Sequence, residues 1–114
     1  MVEVTKRRKK KWRLIWTDPA VESLSEIVEF ISRDSEYYAA NVAKGIYETA
    51  ENLILFPLMG RTVPEFNRED FRELFYQSYR IIYKVESDRI ALLTIVHCSR
   101  DLLALARRES WEIG

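Results

Sequence analysis

The sequence predicts an α+β fold with the order β-α-α-β-β-β, in which a helical hairpin packs on a small, mainly antiparallel sheet and the last residues can form a closing helix. Three observations predict it. Two apolar stripes at helical spacing fill residues 20–54, with a short polar break between them. Three runs of strand character follow between residues 71 and 96. The loop "PLMGRTVPEFNRED", with two prolines, a glycine and no sustained period, divides the two halves.

The elements follow in chain order. "WRLIW" (Trp12–Trp16) is short, aromatic and β-branched, a fair first strand. "TDPA" is a helix start: Thr17 is the expected N-cap, and Pro19 lies in the first turn, where its missing N–H does no harm. Ala20, Leu24, Ile27, Val28 and Ile31 make one apolar stripe, with Glu22, Glu26 and Glu29 off it. Ser32–Ser35 interrupt the stripe, and Ser35 can cap a second helix that buries Ala39, Val42, Ala43, Ile46, Ala50, Leu53 and Ile54. That helix must stop before Pro57, which forces the preceding residue out of the α region. Strands are predicted at Phe71–Tyr76, Tyr79–Val85 and Ile90–Val96, joined by turns at Gln77-Ser78 and Glu86–Arg89. "IALLTIV" is apolar on both faces except for Thr94, which predicts a central, doubly covered strand. In the closing segment Leu102, Leu105 and Ala106 share one side.

A chain of 114 residues is one domain, long enough for a single core. With 47% hydrophobic and 32% charged residues it has the composition of a soluble globular chain, and no apolar run reaches the roughly 20 residues that span a bilayer. The start lacks the apolar core of a signal peptide, and Cys98 is alone, so a protein of the reducing cytoplasm is expected. Cys98 beside the single His97 makes no zinc set. The zero net charge hides an asymmetry. Residues 1–11 carry six basic residues (Lys6 to Lys11) against Glu3, a net +5, which leaves a body from 12 to 114 at net −5. The basic segment reads as a flexible solvated tail, with an electrostatic arm for nucleic acid or an acidic partner as the alternative.

The ordered set "WTDPA", "LSEIVEFI", "LILFP", "GRTVPEF", "FREL", "YRIIYKV" and "IALLTIVHCSR" resembles the RelE/ParE toxin superfamily over Trp12–Leu103. It is most similar to the ParE-like, plasmid-stabilisation branch of type II toxin–antitoxin modules. The resemblance implies the fold above, no cofactor, and a growth-inhibiting toxin neutralised by a cognate antitoxin, with oligomers arising through that complex. It implies one of two targets: DNA gyrase, poisoned by ParE-like members, or mRNA in the ribosome, cut by RelE-like endonucleases. A binding module without toxicity is a third outcome. The implied target-facing surface is the C-terminal sheet edge with the segment after Arg100, and the implied antitoxin seat is the apolar surface near the helical hairpin.

A nuclease of the RelE type needs a base, an acid and cations for the charge developing on phosphate. By the resemblance Arg80 and Arg100 match two family arginines, and His97 is the acid or base that a nuclease reading would use. The remaining pattern departs from that chemistry. Phe71 and Glu73 stand where RelE-like enzymes have lysines, and Ala106 stands where they have a tyrosine. A two- or four-residue hairpin loop pairs Phe75 with Arg80 and puts Glu73 on Arg80's face, whereas a three-residue loop would put Arg72 there. The candidate binding surface is therefore Arg61, Arg72, Arg80, Lys84 and Arg100. For each, a structural role stands beside the functional one: Arg61 could hold its loop through Glu65 or a carbonyl, and Arg72 could form an ion pair. His97 ends an apolar strand, where a lone histidine reads first as a packed, hydrogen-bonded residue. Tyr79 and Tyr83 read as core with hydroxyls at the rim, and Cys98 as an inert, partly buried thiol.

Overall fold

The computed structural model describes residues 12–109 and Trp111; the basic segment 1–11, Ser110 and residues 112–114 lie outside the described residues. Strand β1 (Arg13–Trp16) runs into Thr17, which caps helix α1 (Asp18–Ser32). The Thr17 hydroxyl accepts from the Ala20 N–H and donates to the Leu92 carbonyl at 2.6 Å, tying the helix start to the sheet. The break at residues 33–35 ends with Ser35, whose side chain accepts from the Tyr38 N–H and caps α2 (Glu36–Glu51). Leu53 and Ile54, expected to extend that helix, form a tighter 3-10 turn (Asn52–Ile54) as the chain approaches Pro57.

Strand β2 (Arg61–Thr62) lies within the segment read from sequence as loop. Two residues are too few to show a period, and only pairing against a neighbour makes them a strand. Then come β3 (Phe71–Tyr76), β4 (Tyr79–Val85), β5 (Arg89–His97) and helix α3 (Leu102–Arg108). The sheet has five strands in the order β1-β5-β4-β3-β2, antiparallel except for the β1–β5 pair. The added edge strand puts β4 in the middle, while β5 is interior and buried on both faces as its composition requires. The Gln77-Ser78 turn pairs Tyr76 with Tyr79 and Phe75 with Arg80, with Gln77 in the left-handed region at φ 53°. A bulge opposite Ile82 and Tyr83 adds Leu93 to β5 and shifts the register by one residue, so that Ile82 pairs with Thr94 and Tyr83 with Leu92.

The sheet separates two apolar clusters. Under the helical hairpin lie Ala20, Val42, Ile46, Ala50, Leu53, Leu74, Ile81, Tyr83, Ile90, Leu92 and Ile95, with Leu24, Ile27 and Ile31 partly buried against them. On the other face Val63, Phe66, Phe71, Ile82, Val96, Leu102, Leu105 and Ala106 pack together, with Leu93 and Trp111 against them. The closing helix thus docks on the body, capped by the Asp101 carboxylate, which accepts from the Ala104 N–H. Alternation along β4 places Arg80, Ile82 and Lys84 on this second face, and burial of Ile82 makes it a core surface in its own right.

Tyr83 closes the helical side. Its hydroxyl accepts from the Gly60 N–H at 3.1 Å and donates to the Pro57 carbonyl at 2.9 Å, and burial raises its pKa above the ordinary tyrosine value. Gly60 is required by that approach: a Cβ there would fall 2.4 Å from the Glu73 carbonyl oxygen and 2.6 Å from the Tyr83 hydroxyl. At Gly45 a Cβ would instead meet the tip of the Tyr76 ring, which can turn aside. Urea denaturation should therefore show Gly60→Ala losing about 1–3 kcal/mol, the usual cost of overpacking, and Gly45→Ala losing less.

Candidate functional site

Strands β2, β3 and β4 bring two of the sequence-predicted arginines, Arg61 and Arg80, around one carboxylate. Glu73 lies on β3 opposite Arg61 of β2 and diagonal to Arg80 of β4, on the face shared with Arg80. Its side chain is fully buried. One carboxylate oxygen accepts from Arg80 Nε at 2.6 Å and the other from Arg61 Nε at 2.6 Å. The Nη groups of Arg80 donate in a bidentate pair to the two oxygens of Glu65, each at 2.8 Å. Arg80 is itself buried, with 7% of its side chain exposed, so every guanidinium nitrogen has a carboxylate partner. The hydrogen bonds that Arg80 donates to Glu65 and then to Glu73 raise its pKa against the opposing effect of burial, and the same pairing with Arg80 lowers the Glu65 pKa.

The other candidates separate. Arg61 is exposed and lies over the Phe75 ring, 5.0 Å from its centroid; it holds its loop through Glu73 and not, as the sequence allowed, through Glu65 or a carbonyl. Arg72 points to the opposite face and secures backbone, donating to the Glu69 and Gly60 carbonyls at 2.9 Å. Lys84 sits 5.5 Å from the centroid of the Phe71 ring. Arg100 is exposed beyond the end of β5.

His97 is exposed rather than packed away. Its Nδ1 accepts from the Ser99 N–H at 3.1 Å and lies 2.9 Å from the Ser99 hydroxyl, while its ring meets Tyr79 edge-on. Cys98, expected to be partly buried, is exposed, because the chain leaves the sheet there once the Cys98 N–H has bonded to the Ser78 carbonyl. His97 and Arg100 line a groove of about 420 Å³ between α1, the end of β5 and α3, whose helical walls carry Glu22, Glu26, Phe30 and Arg108. Along this groove β5 has outrun β1, which pairs only as far as Leu92, and the Ile95 N–H is taken by the Ser23 hydroxyl of α1 at 3.0 Å. Among the described residues no group of three or more His, Cys, Asp and Glu could hold a metal ion, and no helix is long and apolar enough to cross a membrane. The role of Glu65 was not foreseen, since it comes from a loop 15 residues before Arg80 and only the folded hairpin brings the two together.

This fold, with a neutralised arginine on one sheet face and an open groove at the end of β5, defines a small α+β protein of the RelE/ParE toxin superfamily. Residues 14–102 match the model of the ParE toxin of the type II toxin–antitoxin system parDE, and the chain belongs to that family. Solved structures agree on the fold. The chain is similar to the chromosomal ParDE toxin–antitoxin system from P. aeruginosa, with a TM-score of 0.66 at 20% identity over 78% of this chain and 98% of that one. It is similar to the RelBE2 toxin–antitoxin complex from Mycobacterium tuberculosis, with a TM-score of 0.57 at 17% identity over 76% and 91% of the two chains. It is also similar to a mutant of the E. coli toxin RelE in the free state, with a TM-score of 0.63 at 10% identity over 90% and 99%. No curated protein matches the chain significantly.

Two outcomes follow from the charge network. Glu73→Ala leaves the buried Arg80 with Glu65 alone, and thermal or urea unfolding should show a loss of about 3–5 kcal/mol, the range for breaking a buried pair. Because the Glu65 pKa is lowered in the folded state, its contribution is full above the unfolded value of about 4.5 and disappears as pH falls through the folded value. Glu65→Gln should therefore flatten the acid limb of the stability–pH curve below about pH 4.5 and change its shape little above pH 6.

Proposed function

We propose that this ParE-family toxin inhibits growth by binding a cellular target, DNA gyrase, without catalysing a reaction, and that a cognate antitoxin neutralises it in the cytoplasm. The observation that supports a binding mode is the state of Arg80. An endonuclease of this scaffold needs cations free to meet the charge on a phosphate, and Arg80 is buried with each of its three guanidinium nitrogens bonded to Glu73 or Glu65. Phe71 and Ala106, at positions where RelE-like enzymes have a lysine and a tyrosine, are packed into the apolar cluster. On this reading the target meets the end of β5, Arg100 and the adjoining groove. The antitoxin sits on the apolar surface of the helical hairpin, where Phe30, Tyr37, Tyr38 and Tyr47 are exposed. The ParDE and RelBE2 structures, both toxin–antitoxin systems, support such a partner. The function needs no cofactor.

One observation favours a second reading, a ribosome-dependent mRNA endonuclease: His97 and Arg100 line the same groove and remain accessible. A short pulse of expression in cells, with DNA breaks and mRNA followed in parallel, separates the two. The expected result is DNA damage with intact mRNA, retained by His97→Ala and weakened about tenfold or more by Arg100→Glu, as for a charge at the centre of a contact. Rapid mRNA cleavage that disappears in His97→Ala would establish the nuclease instead. A native chain with no toxicity would leave only a binding module.

A further inference from the structure

We infer that Arg80, with the charge of Arg61 nearby, forms a carboxylate-binding site that the protein keeps filled with its own Glu65, and that a carboxylate of a partner protein docking on this face takes Glu65's place. The first support is geometry. Glu65 presents both oxygens to the two Nη groups of Arg80 in the planar fork by which arginine binds any carboxylate. Nothing about that pairing requires a carboxylate from this chain.

The second support is how loosely the occupant is held compared with its surroundings. The Glu65 side chain is 31% exposed, whereas Glu73 is fully buried. The segment carrying Glu65 is anchored without its carboxylate: Val63 and Phe66 are buried in the second apolar cluster, and the Phe66 and Asn67 N–H groups both bond to the Val63 carbonyl. Rotation of one side chain can therefore empty the site while the loop stays in place. Glu73 would still hold Arg80 through Nε, leaving the two Nη groups turned toward a surface hollow of about 200 Å³ lined by Arg61, Pro64, Phe75 and Cys98.

Charge and surface indicate the class of occupant. With Glu65 in place the two arginines and two carboxylates balance; without it the cluster carries one positive charge, which a single carboxylate restores. Around the hollow, exposed Phe75 with Arg61 stacked on it and exposed Pro64 make an apolar, cationic platform of the kind found in protein interfaces. The net −5 of residues 12–114 disfavours a nucleic-acid backbone on this face. Because Glu65 is tethered, it competes at a high effective concentration, so a free carboxylate binds the native chain weakly. A partner that fills the hollow supplies the remaining binding energy.

The test uses the full chain labelled with ¹⁵N, reading the side-chain Nε–H resonances of Arg80 and Arg61 during titration with glutarate, with inorganic phosphate as a parallel arm. In Glu65→Ala and in the isosteric Glu65→Gln, glutarate should move the Arg80 resonance at a midpoint at least about tenfold lower than in the native chain, the effect of removing a tethered competitor. Thermal unfolding of each variant establishes that it is folded at the titration temperature. Equal midpoints in native and folded variant chains, or an Arg80 resonance that glutarate leaves in place, would overturn the inference. A response to phosphate without one to glutarate would overturn the carboxylate assignment in favour of a phosphate ligand.

Discussion

The constraint on which the second half of the molecule depends is the buried carboxylate of Glu73. A carboxylate removed from water is tolerated only with close cationic partners and satisfied lone pairs. Glu73 has both, one oxygen on Arg80 and the other on Arg61, each at 2.6 Å. That requirement binds three strands at once, because Glu73 lies on β3 and its partners come from β2 and β4. It also explains why a strand of only two residues persists at the sheet edge: Arg61 opposes Glu73 in register, so the short backbone pairing is completed by an ion pair.

The same loop is fastened from the other face. Arg72 holds the Gly60 carbonyl, Tyr83 holds the Gly60 N–H and the Pro57 carbonyl, and the absence of a side chain at Gly60 lets these groups meet. Beyond β2, Val63 and Phe66 enter the cluster beneath α3, with Phe66 edge-on to both Phe71 and Trp111. The long segment between the helices and the hairpin is thus held by backbone capture on one side of the sheet and by charge and apolar packing on the other.

For function, the consequence is a division of labour between the sheet faces. The face that carries Arg80 is satisfied internally, its arginine neutralised and its neighbours packed. The accessible charged groups His97 and Arg100 are displaced to the end of β5, beside a groove walled by two helices. Arginines read as one basic surface therefore have distinct tasks: Arg80 and Arg61 balance carboxylates, Arg72 secures backbone, and Arg100 faces solvent.

Much of the architecture was legible in the sequence because periodicity and capping are local. Thr17 and Ser35 cap their helices as their positions required, Gln77-Ser78 turns the hairpin, and "IALLTIV" lies in the sheet interior. The order of motifs likewise carried the family. Strand β2, the docking of α3, the exposure of Cys98 and the capture of Arg80 by Glu65 were not legible. Each depends on groups distant in the chain: Arg61 becomes a strand residue only when β3 lies beside it, and Glu65 meets Arg80 only across a closed hairpin. Alternation placed Arg80, Ile82 and Lys84 on one face and left open whether that face meets water or core. The sequence by itself determined the helices, the position of the hairpin and the family, which follow from spacing along the chain, and left the hairpin register to the structure. Tertiary structure alone decided that the most suggestive arginine is buried and occupied, because burial and ion pairing belong to neighbours in space.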